Sequence, residues 1–282
     1  MRTRFSTVLA LLAAVGLVVS ACAKNGTTSS GSTTPTTATT AALTLKTPGK
    51  LTIGSCLDYK PFEYKDPSTG QLVGFDVEIM DAIAQKLGLE PVWVKANFNT
   101  IFTALAGGQF DTVAAASTIT PERQQVVDFS NPYYNARQSL TVNTTKTPSI
   151  TSTDQLTSGM SVGVQKGTTG EMWAKTNLQS KGIVIKSYTN APDAFTDLEA
   201  GRLQGVINDE PSSEQEVTGR AGLKVVEPID TGEHYGFAVG KSHPDVRNGI
   251  NTALAAIIAN GTYTTIFQKY FPGVPVPPEY GG

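Results

Sequence analysis

The sequence predicts an α/β protein of two lobes, each a mainly parallel β-sheet flanked by helices, joined by two crossover segments. Strand-like and helix-like segments alternate along the chain in two separate series. Such alternation is typical of parallel sheets covered by helices on both faces. Two further strand-like segments fit neither series, which indicates that the chain passes between the lobes twice. Of the 282 residues 39% are hydrophobic and 16% charged, which is enough apolar material for one or two cores.

The first series has the order βαβαβ. Asp76 is a residue type that caps helices, and apolar side chains follow it at helical spacing until Gly88 ends the segment. The predicted elements are residues 51–53 (strand), 76–87 (helix), 92–94 (strand), 99–105 (helix) and 112–116 (strand).

The second series repeats this order further along the chain, so we expect a second sheet of the same kind. The predicted elements are residues 161–164 (strand), 171–179 (helix), 183–188 (strand), 193–200 (helix) and 205–208 (strand).

The strand-like segments outside the two series lie at residues 138–142 and 235–239. We interpret them as the crossovers, so that lobe 1 comprises residues 48–137 and 238–282, and lobe 2 comprises residues 138–237. The last element spans residues 245–270 and is predicted to be one or two helices with a break at Asn260-Gly261.

The N-terminus has the pattern of a processed segment. Two arginines precede an almost unbroken apolar run of twelve residues, 8–19, which is too short to cross a membrane as a helix. Small residues then lead to Cys22, and this resembles the lipobox of bacterial lipoproteins. The resemblance implies a signal peptide at residues 1–21, a lipid-anchored Cys22 and an extracytoplasmic location at the cell membrane. The alternative is an ordinary secretory signal with an incidental cysteine.

A tether is predicted to follow at residues 22–47. Between residues 25 and 40, eleven of sixteen residues are Ser or Thr, and nothing there could form a core. We therefore expect the folded body to begin near Pro48.

Charge and composition exclude several classes of protein. The formal net charge is −2, so the basic surface that nucleic acid requires is absent. Two cysteines and two histidines cannot make a four-ligand zinc site at any familiar spacing. With Cys22 lipidated, Cys56 would have no partner for a disulfide. We expect no metal and no cofactor.

Seven short motifs follow one another between residues 51 and 271. They are 59–64 (YKPFEY), 72–77 (LVGFDV), 117–123 (STITPER), 127–134 (VDFSNPYY), 167–169 (GTT), 200–202 (AGR) leading to 209–210 (DE), and 260–263 (NGTY) closing on 269–271 (KYF). Each is weak evidence by itself, but together and in this order they resemble the polar amino-acid substrate-binding proteins of ABC importers, of the periplasmic-binding-protein type 2 fold.

The resemblance implies a two-lobed clamp that binds one free amino acid in its cleft and delivers it to a membrane permease. Such a protein is expected to be a monomer without enzymatic activity. A dry cleft must pair both the carboxylate and the ammonium of the ligand, since an unpaired buried charge costs several kcal/mol.

Arg123 is the predicted partner of the ligand's carboxylate. Thr120 as cap and Pro121 at the first position predict a helix start, which places Arg123 in the first turn. A guanidinium there can bind a carboxylate bidentately. The resemblance implies this role, assisted by the hydroxyl or N–H of Thr118. The alternative is a surface arginine paired with Glu122 or another local acid.

Lobe 2 is predicted to supply a second anion cradle and the partner of the ammonium. The N–H groups around Thr168 and Thr169 lie between a strand and a helix, although Thr168 could instead be a plain helix cap. Asp209 follows a strand, at the sheet edge where ligands of α/β proteins bind. The resemblance implies that Asp209 binds the ammonium together with the backbone carbonyl of Ala116. The alternative is that Asp209 caps the following segment.

Tyr59 and Phe98 are the positions that, by the resemblance, enclose the ligand's side chain. Relatives that bind basic amino acids commonly carry an acid three residues before the first of these two positions. In the present chain this place, three residues before Tyr59, is occupied by Cys56. Gln165, at the end of a strand, is a neutral candidate for contact with the ligand's side chain, or an ordinary exposed residue.

These residues predict a neutral polar ligand, similar to glutamine or asparagine, with an acidic amino acid second and a basic one last. An amide needs only hydrogen bonds, whereas a buried cation needs a carboxylate. Asp58 or Glu63 could turn inward and supply that charge, which would reverse the order.

Two other functions are compatible with the same fold. Dehydratases that act on prephenate or arogenate resemble it, but no Ser-His or Cys-His arrangement is present among the candidate residues. A sensor that reports its ligand to a membrane receptor would use the same clamp, and the chain alone does not separate sensing from transport.

Overall fold

The computed structural model describes residues 43–281. The predicted signal peptide, the lipidated Cys22 and the tether up to residue 42 lie outside the described residues. Within the described part of the chain, no helix is both long enough and apolar enough to cross a membrane.

The first βα series forms lobe 1. Its elements are β1 (Lys50–Ser55), β2 (Asp58–Tyr59), β3 (Glu63–Lys65), β4 (Leu72–Val73), α1 (Phe75–Lys86), β5 (Glu90–Lys95), α2 (Phe98–Ala106), β6 (Thr112–Val113), α3 (Pro121–Val126) and β7 (Asp128–Phe129).

The second series forms lobe 2, after which the chain returns to lobe 1. The elements of lobe 2 are β8 (Tyr134–Asn143), β9 (Ser161–Gln165), α4 (Thr169–Asn177), β10 (Val184–Tyr188), α5 (Ala191–Glu199), β11 (Gly205–Asp209), α6 (Glu210–Val217) and β12 (Leu223–Tyr235). The returning elements are β13 (Ala238–Val239), α7 (Pro244–Ala259) and α8 (Thr262–Tyr270), and short 3₁₀ turns lie at Thr153–Gln155, Gln179–Lys181 and Pro278–Tyr280.

Each lobe is built on a five-stranded sheet in which parallel and antiparallel pairs meet. Lobe 1 has the order β5-β1-β6-β13-β7, with β1 parallel to β5 and β6, and with β13 antiparallel to both of its neighbours. Lobe 2 has the order β10-β9-β11-β8-β12, in which only β10, β9 and β11 are parallel. The predicted two-lobed α/β architecture is confirmed. The antiparallel strands are the segments by which the chain leaves and re-enters each lobe.

Both sheets are covered by helices through apolar side chains. In lobe 1, Leu51 and Ile53 of β1 are fully buried beneath Ile79 and Ile83 of α1. The predicted final helix pair is also confirmed, because α7 ends before Asn260-Gly261 and α8 begins after it. Gly261 has a φ of +79°, a conformation that glycine adopts without strain and that reverses the chain between the helices.

The chain crosses between the lobes on two adjacent strands. β8 and β12 are paired from Tyr134 opposite Tyr235 to Asn143 opposite Leu223, so β8 is one continuous strand. Residue 138, which the sequence pattern put at the boundary, pairs with Asp209 inside the sheet of lobe 2. Because β8 itself runs through the crossing without a break, the sequence pattern does not change at the point where one lobe ends.

The folded body begins earlier in the chain than Pro48, the residue near which the sequence predicted its start. The N–H of Thr44 donates to Asp245 Oδ2 at 2.5 Å, and that of Lys46 donates to Asp111 Oδ1 at 2.7 Å. Leu45 packs against the core of lobe 1. These residues follow a Ser/Thr-rich stretch, but they are held by carboxylates that lie far away in the sequence.

Candidate functional site

A pocket lies between the two lobes, at the carboxyl ends of several parallel strands. Gln165 and Asp209 end β9 and β11, and Cys56 directly follows β1. All nine residues predicted from the sequence line this pocket, together with Cys56, Glu63 and Ala115: Tyr59, Phe98, Ala116, Thr118, Arg123, Gln165, Thr168, Thr169 and Asp209. The topology therefore brings the predicted residues of both lobes to one place, as expected at this edge of an α/β sheet.

The small hairpin of β2 and β3 carries two of these side chains. Tyr59 and Glu63 are paired across its two strands. The hairpin is fixed to α1, because the N–H of Asp76 donates to the carbonyl of Phe62 at 2.9 Å. Gly74 makes this approach possible. It has a φ of +141°, and a Cβ at that position would lie only 2.0 Å from the Phe62 carbonyl oxygen.

Arg123 is held in the first turn of α3, as predicted. Thr120 caps the helix, its hydroxyl accepting from the Arg123 N–H at 3.2 Å. The guanidinium donates to the carbonyl of Thr118 in lobe 1 at 2.7 Å and to that of Gly167 in lobe 2 at 3.2 Å. Burial lowers the pKa of Arg123 to about 10, with the charge of Asp209 opposing this shift, so the side chain remains a cation at neutral pH. In the alternative, Arg123 would lie on the surface and pair with Glu122. The observed partners of its guanidinium are instead the carbonyls of Thr118 and Gly167.

Two aromatic rings lie against the guanidinium. The Arg123 Cζ is 5.2 Å from the ring centroid of Phe98 and 4.9 Å from that of Phe102. Such cation–π contacts stabilise a guanidinium that has been removed from water, and they restrict its movement. Phe98 therefore both lines the pocket and fixes the direction of Arg123.

The loop that precedes α4 faces Arg123 from lobe 2. Thr168 caps α4, its hydroxyl accepting from the N–H of Glu171 at 3.1 Å and donating to the carbonyl of Gln165 at 2.7 Å. Thr169 and Gly170 occupy the first turn, where backbone N–H groups have no acceptor within the helix. The predicted cap at Thr168 is present, and the same helix start presents donors that suit a carboxylate.

Asp209 lies at the centre of the pocket. Its Oδ2 accepts from the hydroxyls of Tyr59 at 2.7 Å and Tyr235 at 2.6 Å, and its Oδ1 accepts from Gln138 Nε2 at 2.5 Å. Its side chain makes no capping hydrogen bond to α6, so it faces the pocket instead of capping the following segment. Burial raises the pKa of Asp209 to about 6, and the nearby charge of Glu233 adds to this shift.

Ala116 is held in an uncommon backbone conformation beside the pocket. Its φ is +44°, and its N–H donates to Asp76 Oδ2 at 2.8 Å. Asp76 is fully buried, and its other oxygen accepts from the Tyr133 hydroxyl at 2.7 Å. The prediction that Asp76 caps α1 is therefore wrong. Gly74 takes the cap position, and the carboxylate points into lobe 1.

This contact also explains why the third strand is shorter than predicted. β6 ends at Val113, and residues 114–117 form a loop before Thr118, which makes an isolated antiparallel bridge with Tyr235. Asp76 holds that loop in the left-handed conformation, which a residue with a Cβ adopts only when its surroundings demand it.

Glu63 is a pocket residue that the sequence suggested only as an alternative. Its side chain is fully buried, and within the described residues neither carboxylate oxygen has a hydrogen-bond partner. Burial raises the pKa of Glu63 well above its usual value, and the negative charge of Asp76 raises it further. Asp58, the other acid named in that alternative, pairs with Lys95 at 3.3 Å and does not line the pocket.

Cys56 and Gln165 complete the wall of the pocket. Burial raises the pKa of the Cys56 thiol well above its usual value, so it is a small neutral group. Gln165 is buried and its Nε2 donates to the carbonyl of Thr189 at 3.2 Å. Within residues 43–281 no group of three or more His, Cys, Asp and Glu side chains could hold a metal ion.

Two lobes with a pocket of charged and aromatic side chains between them are typical of proteins that bind a small solute. Residues 51–273 match the model of the bacterial extracellular solute-binding proteins, family 3, and the chain belongs to this family.

Known proteins of similar sequence and structure bind amino acids. The L-arginine-binding protein of Pseudomonas aeruginosa is 33% identical over 227 residues, which is 78% of this chain and 86% of that protein. A solved structure of an ancestral arginine-binding protein bound to glutamine has a TM-score of 0.72 and 36% identity, and the match covers 80% of this chain and 99% of that one. The ancestral amino acid-binding protein AncCDT-1, described as a precursor of cyclohexadienyl dehydratase, has a TM-score of 0.74 and 36% identity over 79% of this chain and 96% of that one.

Proposed function

We propose that this protein captures a free basic amino acid, L-arginine above others, in the cleft between its lobes and delivers it to an ABC importer. The observation that carries the proposal is Glu63, a buried acid that has no hydrogen-bond partner among the described residues, in a pocket that already holds a separate acid, Asp209, for an ammonium. A buried carboxylate without a partner is costly, and a cation placed beside it removes that cost.

The charges of the pocket agree with a ligand of net charge +1. Arg123 matches the ligand's carboxylate and Asp209 matches its α-ammonium. A neutral side chain would leave Glu63 without a counter-charge, whereas a guanidinium or an ammonium at the end of the side chain supplies one. The aromatic ring of Tyr59 and the apolar thiol of Cys56 suit the methylene part of such a side chain.

The expectation of a neutral polar ligand, drawn from Cys56 and Gln165, is not confirmed. Relatives that bind basic amino acids commonly carry an acid three residues before the aromatic position, and this chain has Cys56 there. Glu63, four residues after Tyr59, brings a carboxylate into the same pocket. Glutamine is the second candidate, because the ancestral arginine-binding protein of similar structure is described with glutamine bound.

A dehydratase is the less favoured alternative. The relatives named above are called binding proteins, and the neighbour linked to a dehydratase is itself described as amino acid-binding. The side chains that line the pocket described here include no histidine. Incubation with prephenate and arogenate, followed by analysis of the products, should show no turnover.

Titration calorimetry with a panel of amino acids tests the proposed function. We expect L-arginine to bind at least tenfold more tightly than L-glutamine, a difference of about 1.4 kcal/mol or more, because only arginine can form a hydrogen-bonded charge pair with Glu63. Lysine and histidine should lie between them, and glutamate should bind most weakly because it adds a negative charge beside Glu63. Tight binding of glutamine or asparagine with much weaker binding of arginine would refute the proposal.

The affinity for arginine should fall as the pH is lowered below about 6. Burial raises the pKa of Asp209 to about 6 in the free protein, and the ammonium of a bound ligand would lower it again. Above pH 6 the Asp209 carboxylate is ready to pair, whereas below pH 6 it must first lose a proton, as Glu63 must before it pairs with the guanidinium, so the affinity should drop by up to about tenfold per pH unit for each proton released. Calorimetry between pH 5 and pH 8 measures this.

A histidine variant separates this effect from contributions of residues outside the pocket. His234 lies on β12 and contacts Asn135, and His234→Gln should leave the pH profile unchanged. A profile that is flat from pH 7 to pH 5, or one that disappears in His234→Gln, would contradict the role given to Asp209.

We further propose that Cys22 anchors the protein to the outer face of the cell membrane through a lipid. This proposal rests on the apolar run and the small residues that precede Cys22. Cys22→Ser should move the protein from the membrane fraction to the soluble fraction and abolish incorporation of labelled fatty acid. A variant that stays with the membranes and still incorporates the label would exclude the anchor.

A further inference from the structure

Glu233 lies behind the pocket, on the crossover strand β12, and is 9% exposed. Its Oε2 accepts hydrogen bonds from the hydroxyls of Thr118 and Thr169, each at 2.7 Å. Its Oε1 accepts from the hydroxyl of Thr231 at 2.8 Å and from Gln138 Nε2 at 3.2 Å. One carboxylate is thus saturated by donors from several elements. We refer to the contacts of its Oε2 as the Glu233 clasp.

The two hydroxyls of the Glu233 clasp belong to different lobes. Thr118 follows β6 of lobe 1, whereas Thr169 is the first residue of α4 in lobe 2. Their hydroxyl oxygens lie 3.5 Å apart, on either side of the same carboxylate oxygen. This geometry requires the lobes to be close together, since moving them apart separates at least one hydroxyl from Glu233.

The clasp also affects how the ligand's carboxylate can be held. A hydroxyl has a single hydrogen, and those of Thr118 and Thr169 are directed to Glu233. The carboxylate of a ligand would therefore depend on the Arg123 guanidinium and on backbone N–H groups. Glu233 itself is not among the residues that line the pocket described above.

We propose that Glu233 is a positioning residue that stabilises the closed arrangement of the lobes by joining Thr118 and Thr169 through one carboxylate oxygen. It acts on closure and not on recognition of the ligand's side chain. This proposal rests on the proposed function in one respect: a bound amino acid is used to detect closure of the lobes.

Removal of the carboxylate should weaken every ligand by the same factor. We expect Glu233→Ala to reduce the affinity for L-arginine and for L-glutamine about tenfold each, because hydrogen bonds to a charged acceptor are lost. Stopped-flow measurements should show the loss as faster dissociation, since a less stable closed state releases its ligand sooner. Glu233→Gln, which keeps an acceptor oxygen in the same place, should restore much of the affinity.

A double-mutant cycle separates this role from a general effect on folding. Thr169→Val removes one donor of the clasp, and we expect the double variant Thr169→Val/Glu233→Ala to be little weaker than Glu233→Ala alone. Losses that multiply would overturn the proposal. A loss confined to arginine would also overturn it, because Glu233 would then act as a charge in ligand recognition.

The distance between the lobes gives a measurement that does not depend on which ligand is correct. Spin labels can be attached to Gln85→Cys in α1 and Gln179→Cys in lobe 2, both exposed positions. Glu233→Ala should shift the distance distribution towards longer values at the same ligand concentration. Identical distributions for the labelled, otherwise unaltered protein and for Glu233→Ala would refute the clasp. Failure of the labelled, otherwise unaltered protein to bind arginine would refute only the proposed ligand, because its distances can still be compared with those of Glu233→Ala.

Discussion

Replacement of Arg123 by alanine is expected to weaken L-arginine binding by roughly 2–5 kcal/mol, about thirtyfold to several thousandfold in Kd. The guanidinium would pair with the ligand's carboxylate, and it also donates to a carbonyl of each lobe, at Thr118 and at Gly167. The variant therefore loses a buried charge pair and an interlobe contact together. Calorimetry measures the change in Kd, and circular dichroism verifies that the fold is intact.

Two further variants make the interpretation specific. Arg202→Ala removes the same charge from an exposed ion pair with Asp197 in lobe 2, and it should bind arginine as the unaltered protein does. Arg123→Lys keeps the charge but lacks the planar fork that reaches both carbonyls, so its affinity should be intermediate. Unchanged binding in Arg123→Ala would remove Arg123 from the site.

Glu63→Gln should reverse the preference between arginine and glutamine. We expect arginine binding to weaken by at least about thirtyfold, roughly 2 kcal/mol or more, because a buried guanidinium would lose its counter-charge. Glutamine binding should change by less than about threefold, since an amide partner is as suitable as a neutral carboxyl group. Calorimetry with both ligands on the same preparation measures the ratio of the two affinities.

The control for this variant is Asp58→Asn. It removes one negative charge near the pocket, but from a residue that pairs with Lys95 and does not line the pocket. Because the charge of Asp58 also helps to raise the pKa of Glu63, its removal should not weaken arginine relative to glutamine, in contrast to Glu63→Gln. The unliganded Glu63→Gln protein should melt no lower than the unaltered one, because an amide is less costly to bury than a carboxylate. Equal losses for arginine and glutamine would show that Glu63 does not recognise the ligand's side chain.

The sequence was sufficient to predict the architecture. It was also sufficient to predict the residues whose positions depend only on their neighbours in the chain. Alternating strand-like and helix-like segments identified the two βα series, because the periodicity of apolar side chains is a local property. Thr120, Pro121 and Arg123 define a helix start within four residues, and the structure has that helix with that cap. Asp209 directly follows a strand, so its position at the edge of the sheet was predictable as well.

Contacts between distant segments were decided only by the tertiary structure. Asp76 has the sequence signature of a helix cap, yet it binds the backbone of Ala116 forty residues further on. Glu63 turns inward because its hairpin is held against α1 at Gly74. The strand that carries it has only three residues, and so short an alternation does not show which face will be covered.

The same limit applies to the crossover strands. Gln138 and Glu233 are 95 residues apart, but β8 and β12 lie side by side and bring them together with Asp209. No spacing in the sequence signals such a cluster, since its members meet only when two lobes and two crossovers are assembled. The sequence by itself therefore determined the two-lobed architecture and the residues proposed to bind a carboxylate and an ammonium. The inward position of Glu63 and the contacts of the proposed clasp depend on pairing over long range, which only the folded chain defines.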